Sequence, residues 1–435
     1  MAFQNFIFLL WCLGTASTFS SHLLAAEGTE SSAGRVVELV RQLAGDDVAT
    51  REAAVLELEN LVTRAARPEA GKERREVAKA LAGALAEDHP TAVKRILIES
   101  VARVGKWEVV SPLGKMLGDN AADPLLRDAA CRALGSNRTP GAKKQLRKAL
   151  ETTEGELRIA VIRALGEHRD PLSAAALMQI AQDDEDAGSR LAAVVALAEI
   201  GEISSVDILE GALRTYQGEE LRQVQDAYLR FGDSLLRNNE RGQARRVYHR
   251  AIEMGNTYHA AALVGLAKGG LQSEVQRIAT ATESEDRVLR TGALEAAAIL
   301  PGPGMTQALV AKLAESTDSE RRLELLASLA ERKDKGAREA VQTEFLKASD
   351  DATRAAVIDL LAVSYRQPSA EISGPVLDSL LTALAEDGAA ARAAARLILS
   401  HPSETLDPTL RARLGGLEGE ARSKLEQILG QRVQK

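Results

Sequence analysis

The feature that most constrains this chain is a phrase recurring about every 32 residues. An acidic residue is followed four positions later by arginine, and apolar residues stand three, four and seven positions beyond the arginine. Two copies are Asp123/Arg127 with Ala130, Cys131 and Leu134, and Glu154/Arg158 with Val161, Ile162 and Leu165. The pattern returns at Asp186/Arg190, Asp286/Arg290, Asp318/Arg322 and Asp350/Arg354. Self-similarity at such a period describes a stacked array of supersecondary units, each too small to bury its own apolar face.

Taking the basic residue as anchor, the series runs Arg51, Lys94, Arg127, Arg158, Arg190, Arg222, Asn256, Arg290, Arg322, Arg354, Arg392. Steps from Lys94 to Arg354 lie between 31 and 34 residues, with longer steps at both ends. The offset of seven is apolar in every copy, from Leu58 through Leu165 to Leu399. Spacings of three, four and seven put these residues on one helical face. The acidic residue falls at the helix start, where a carboxylate caps free N–H groups and meets the positive dipole end. Gly105, Gly135, Gly166 and Gly201 are read as helix ends. A second, less regular helix follows each first one, as in 142–150, 173–181 and 205–213. Ala, Leu, Glu and Arg dominate, with few prolines, a helical composition. The expected fold is all-α, an α-α superhelix of about eleven helical hairpins.

These pairs, together with the Arg-xx-Ala-xx-Ala-Leu-Gly phrase at 127–135 and 158–166, resemble the HEAT-repeat family over nearly all of residues 35–400. The resemblance implies a structural ladder in which Asp123, Arg127, Glu154, Arg158, Asp186, Arg190, Asp286, Arg290, Asp318, Arg322, Asp350 and Arg354 link adjacent units. Each arginine fork can serve carboxylates of its own and the neighbouring repeat. A functional arginine row lining a groove is the alternative.

The centre departs from the pattern. At Arg222 the third and fourth positions are Gln225 and Asp226, which cannot form a dry face. Tyr228, Phe231, Gly232, Leu235, Ala244, Tyr248 and Ala251 instead fall at the spacing of one tetratricopeptide repeat, which this segment resembles, with helices near 222–237 and 241–254. Small Gly232 and Ala244 let two helices approach while the aromatics fill the gaps. Five of the eight aromatic residues beyond residue 26 lie between 216 and 258. Tyr216 and Tyr258 lie outside the repeat's packing set and are candidates for partner contact.

The first 26 residues carry no charged side chain, and 6–13 form a compact apolar core before Ala25-Ala26. This reads as a secretory signal, although no basic residue stands near Met1, and an uncleaved anchor is the alternative. The run is too short for a comfortable membrane span, so none is expected after cleavage. Cys131 is then the only cysteine, in the apolar slot of its repeat, a small buried hydrophobe without a disulfide partner. The expected organisation is a signal at 1–26, HEAT-like repeats at 35–221, the central repeat at 222–257, HEAT-like repeats at 258–400 and capping helices at 401–435.

With 55 basic and 62 acidic residues the formal net charge is −7, which argues against a nucleic-acid backbone as ligand. Deoxyhypusine hydroxylases resemble such arrays but carry His-Glu dipeptides that hold iron. This chain has none, and Glu167-His168 is reversed, with an exposed histidine expected there. Phycobilin lyases share the repeats, yet no residue set here specifies a chromophore site. His89, His168, His249, His259 and His401 are scattered, and only His249 and His259 are near each other. No phosphate loop or nucleophile motif is found. The reading includes no cofactor, metal or catalytic residue.

Basic clusters are local: Lys143, Lys144, Arg147 and Lys148 on one second helix, and Arg241, Arg245, Arg246 and Arg250 on another. Each is a solvated face or a docking patch for an acidic partner. The sequence therefore predicts an exported, periplasmic or secreted non-enzymatic scaffold. Its concave surface would bind a protein or peptide, with Tyr216, Tyr258, Arg241 and Arg245 as contact residues. A HEAT-like enzyme or cofactor-binding lyase is the alternative, and a passive structural spacer a further one.

Overall fold

The computed structural model describes residues 31–366, 372–401 and 403–433. The expected signal at 1–26 and most of the loop expected between Arg366 and Gly374 lie outside them. Among the described residues there are 24 α-helices and no strand. The chain divides into two compact units, Met1–Val224 and Gln225–Lys435.

The first unit opens with α1 (Ser32–Leu43), α2 (Val48–Ala65), α3 (Gly71–Leu85) and α4 (Thr91–Val104). It continues with α5 (Val110–Gly118), α6 (Pro124–Ser136), α7 (Pro140–Leu150) and α8 (Gly155–Glu167). Helices α9 (Ala174–Asp183), α10 (Ala187–Ile200) and α11 (Val206–Thr215) follow. The division between units falls inside α12 (Gly218–Arg237). The second unit contains α13 (Arg241–Ile252), α14 (Asn256–Lys268), α15 (Val275–Ala281), α16 (Arg287–Ile299) and α17 (Pro303–Glu315). Next come α18 (Ser319–Glu331), α19 (Lys335–Lys347), α20 (Asp351–Ser364) and α21 (Gly374–Ala385). Helices α22 (Ala389–Ser400), α23 (Ser403–Leu414) and α24 (Gly419–Val433) end the chain. In chain order these are eleven helix pairs flanked by α1 and α24.

Within each unit the first helices of successive pairs stack, α6 on α8 on α10 and α14 on α16 on α18, and second helices close the layer beside them. The predicted apolar positions lie in this layer: Leu134, Val161, Ile162, Leu165 and Leu197 are buried in the first unit, and Leu329, Ile358 and Leu361 in the second. Cys131 is buried too, and burial pushes its thiol up to about 12, so it is packing material. The last unit is closed by α24. Its Leu425, Ile428 and Leu429 join Leu377, Leu384, Ile398 and Leu410 in one cluster, the capping role expected of a terminal helix.

The repeated acids and arginines divide their work. Asp123, Asp186, Asp286, Asp318 and Asp350 are N-caps, accepting from the backbone N–H groups of Leu125, Ser189, Leu289, Arg321 and Thr353 at 2.7 to 2.9 Å. Glu154 makes no such bond, because glutamate's extra methylene suits the cap position poorly. The arginines reach elsewhere. Arg127 donates to the Leu117 carbonyl, Arg158 to Leu150, and Arg322 to Leu313, at the ends of the preceding second helices. Their other donors meet carboxylates further along the chain: Arg158 to Asp184 at 3.1 Å, Arg290 to Glu324 at 2.9 Å, Arg322 to Glu344, Arg354 to Glu386 at 3.0 Å. Arg190 holds the carbonyls of Asp184 and Glu185. Where Gly388 stands in place of an acid, Asp351 of the preceding pair caps α22, accepting from Ala389 and Ala390. The ladder is therefore arginine to carbonyl and neighbouring carboxylate, with aspartate as cap.

Two of the expected helix-ending glycines do something different. Gly201 is a left-handed cap, with φ of 75°. Gly135 and Gly166 instead lie inside α6 and α8. A Cβ on Gly166 would stand 2.8 Å from the Cα of Ala196, so this glycine sets the approach of α8 to α10.

A second ladder runs along the C-terminal ends of the first helices. Asn137 Nδ2 donates to the Lys106 carbonyl at 2.9 Å, and Ser328 Oγ to Leu294 at 2.9 Å. Arg332 and Arg432 reach the Ala297 and Ile398 carbonyls. His168 Nε2 donates to Leu134 at 3.0 Å. His168 was expected to be exposed, but it is buried, because the carbonyl one repeat away satisfies its N–H. Burial depresses its pKa, only partly opposed by the Leu134 bond, with Arg138 and Lys143 adding to the depression and Asp170 opposing it. The unfolded chain thus takes up this proton more readily than the fold. Stability from this group is complete above the ordinary histidine value of about 6.5 and is lost as pH falls below it. Urea unfolding of residues 31–224 should weaken between pH 7.5 and 5, by at most about 1.4 kcal/mol per pH unit for this proton. His168→Gln should flatten that dependence, and an unchanged slope would contradict the assignment.

Candidate functional site

Side chains that touch a ligand are sought among those that packing and capping leave unused. In the first unit α7 lies close against α5, whereas the space between α7 and α9 opens into a cleft of about 820 Å³. Helical spacing aligns Lys144, Lys148 and Glu151 along its α7 wall, and Leu172, Ala176, Ile180 and Asp183 along its α9 wall. Leu150 and Ile180 are buried in it, while Leu172, in the short turn Pro171–Ser173 before α9, is 74% exposed.

The charges of the cleft are of two kinds. Arg147 is held by buried Asp170 at 2.5 Å and Arg158 by Asp184 at 3.1 Å, so both guanidinium groups are engaged. Lys144 and Lys148 are exposed and have no ion-pair partner among the described residues, nor do Glu151 and Asp183 at the C-terminal ends of the two helices. The cleft offers an uncovered leucine at its α9 start, two free ammonium groups along its α7 wall, and free carboxylates at the C-terminal ends of both helices. Its volume lies in the range of about 300–1,000 Å³ typical of ligand sites.

Of the basic clusters read from the sequence, this one contributes to a cleft. Leu172 was missed, because it stands in a short 3-10 turn where no apolar periodicity singles it out. Trp107, in the equivalent turn before α5, is 62% exposed.

The four residues expected to contact a partner lie elsewhere. Tyr216 follows α11 in the first unit and is half-buried; burial pushes its phenol up, partly opposed by the nearby Arg190 charge. Tyr258, on α14 in the second unit, is also half-buried. Both are more exposed than Tyr228 and Tyr248, which are fully buried. Tyr248 packs over Gly232 of α12 and Gly265 of α14 and donates to Asp233 at 2.6 Å. Arg241 and Arg245 are exposed one turn apart on α13, and Arg245 bonds to Glu274.

No group of three or more His, Cys, Asp or Glu side chains able to hold a metal occurs among the described residues, and His249 and His259 form no such group. No helix among them is long and apolar enough to cross a membrane.

The family match agrees with the helix-pair unit. Residues 77–158 and 144–228 match the family model described as HEAT repeats. No curated protein matches the sequence. Among solved structures, importin beta in an ammonium sulfate condition is 14% identical, with 95% of this chain and 65% of that one covered at a TM-score of 0.46. A structure of Kap95p binding RanGDP is 12% identical, covering 93% and 61% at a TM-score of 0.48. Human deoxyhypusine hydroxylase in complex with glycerol is 16% identical, covering 66% and 94% at 0.26. This chain thus spans less than two thirds of the importin beta and Kap95p chains, and at these scores the likenesses carry no argument about activity. Residues 77–228 thus carry HEAT repeats, and a helix-pair unit recurs in both compact units.

Proposed function

We propose that this protein is an exported, non-enzymatic scaffold that holds a segment of another protein in the cleft between α7 and α9. The observation that carries the reading is Leu172, an uncovered apolar side chain at a cleft flanked by Lys144 and Lys148, whose charges no ion pair among the described residues neutralises. An exposed apolar group in a rimmed cleft is the form of a recognition anchor. The complementary segment carries an apolar anchor beside acidic residues, with a basic group toward Glu151 and Asp183. Export rests on the uncharged apolar start of the sequence. The hairpin of α12 and α13 is read as tetratricopeptide-like, in keeping with Tyr248 packed on Gly232.

Selection of peptides from a displayed random library against residues 31–435 tests this. The expected result is one consensus of an apolar residue beside acidic ones. Leu172→Glu together with Lys144→Glu should weaken the selected peptide at least tenfold, about 1.4 kcal/mol, with melting unchanged. No consensus, or equal affinity for the variant, would point to a passive spacer.

A further inference from the structure

A second feature, in the second unit and independent of the cleft, is a pair of arginines aimed by one buried carboxylate. Glu274 ends the short 3-10 turn before α15, and its side chain is 2% exposed. Oε1 accepts from Arg245 Nε at 2.9 Å and Oε2 from Arg277 Nε at 3.1 Å. Ser273 Oγ donates to Oε1 at 3.2 Å, and His249 Nε2 lies 3.1 Å from the same oxygen. Burial pushes the Glu274 carboxyl up, but the bonds from Arg245 and Arg277, with the His249 ring beside them, more than offset this, so it is held below the usual range and stays charged.

The consequence lies in which nitrogens are used. Each guanidinium is fastened through Nε, and no bond or ion pair among the described residues takes its two terminal nitrogens, although nearly half of each side chain is exposed. The two Nε atoms sit on opposite oxygens of one carboxylate, so the two forks are neighbours fixed in direction. Arg241, one turn before Arg245 on the same face of α13, is exposed and forms no ion pair among the described residues. With Glu274 cancelling one of three guanidinium charges, the patch carries a net +2. His259 stands near enough to Arg277 for that charge to add to burial in depressing its pKa, and its enclosed Nε2 has no hydrogen-bond partner among the described residues.

We propose that Arg245 and Arg277, with Arg241 beside them, form a binding site for a phosphate dianion, and that Glu274 is its positioning residue. Planar forks held in one orientation match the paired oxygens of phosphate, and fixing them beforehand removes the rotamer cost of binding. A dianion balances the +2 patch, which a single carboxylate does not. A free exposed arginine cluster lacks this preorganisation, and the buried Glu274 distinguishes this site from an ordinary basic helix face.

The test uses the full chain at low ionic strength, titrated with inorganic phosphate, phenyl phosphate and acetate while arginine Nε–H resonances are followed. Saturable shifts of Arg245 and Arg277 are expected with both phosphates and none with acetate. Tighter binding of phenyl phosphate would assign the site to a phosphorylated group, tighter binding of inorganic phosphate to the free ion. Glu274→Gln separates preorganisation from bulk charge, because it makes the patch more positive. The proposal expects binding to weaken at least fivefold, and equal or tighter binding would overturn it. Arg277→Lys, which keeps the charge and loses the fork, should also weaken binding at least fivefold with melting preserved. Arg246→Gln on the same helix should leave it unchanged. Equal binding by Arg277→Lys, or an equal loss with Arg246→Gln, would reduce the site to non-specific charge.

Discussion

Arg332→Leu should destabilise the second unit by about 3–5 kcal/mol, the range for removing one member of a buried ionic network. Arg332 is 5% exposed, and all its donor groups are used. Nε meets Thr306 Oγ1 at 2.8 Å and Asp334 Oδ2 at 3.0 Å. Nη1 meets the carbonyls of Ala297 and Leu300, and Nη2 that of Gly302 at 2.9 Å. These three carbonyls end α16 and form the sharp turn into α17, where Gly302 adopts a φ of 99°. Leucine fills the volume and satisfies none of them. Buried acceptors without donors each cost about 1–3 kcal/mol, and Asp334 keeps only Thr306 and its cap on Ala337. Denaturant unfolding of the second unit reads the effect. A loss under 1 kcal/mol would show that the network is not what joins these pairs.

Leu165→Asp should abolish cooperative folding of the first unit. Leu165 is fully buried on α8, in the stack with α6 and α10. Large-to-small changes at such sites cost about 2–5 kcal/mol, and aspartate adds a charge that nothing there pairs. Leu172→Asp, seven residues on, is the same chemical change at an uncovered side chain and should leave melting within about 0.5 kcal/mol. Equal melting of the two variants would refute the repeat register.

What was legible in the sequence follows from how a property repeats. The apolar slots and the capping aspartates recur with residue type and offset together, so Leu134, Leu165 and Leu197, and Asp186, Asp318 and Asp350, stood out. The second ladder recurs in position only. Asn137, His168, Ser328, Arg332 and Arg432 share no chemistry beyond a donor, and the carbonyls they reach carry no side-chain signature. The same holds for the arginines of the first ladder, whose carbonyl partners are invisible in a pattern of letters. Gly135 and Gly166 resembled helix ends because packing glycines and capping glycines share a letter. They are separated by neighbours 30 residues away. The cleft was half legible: Lys144 and Lys148 were seen as a basic cluster, but that Asp170 and Asp184 engage Arg147 and Arg158 depends on tertiary contacts. Nothing in the sequence distinguishes Glu274 from a surface glutamate. Its burial beneath Arg245 and Arg277 is set by α13, α14 and α15 together.

The most direct measurement on the central claim is site-specific photo-crosslinking in the cells that make this protein. A photoreactive phenylalanine would replace Leu172 in the cleft or, as control, exposed Arg163 on α8, which lies outside the cleft. One protein adduct forming from position 172 and absent from 163, and suppressed by the selected peptide, is the predicted result. No adduct at 172, or the same adducts from both positions, would contradict a partner seated between α7 and α9.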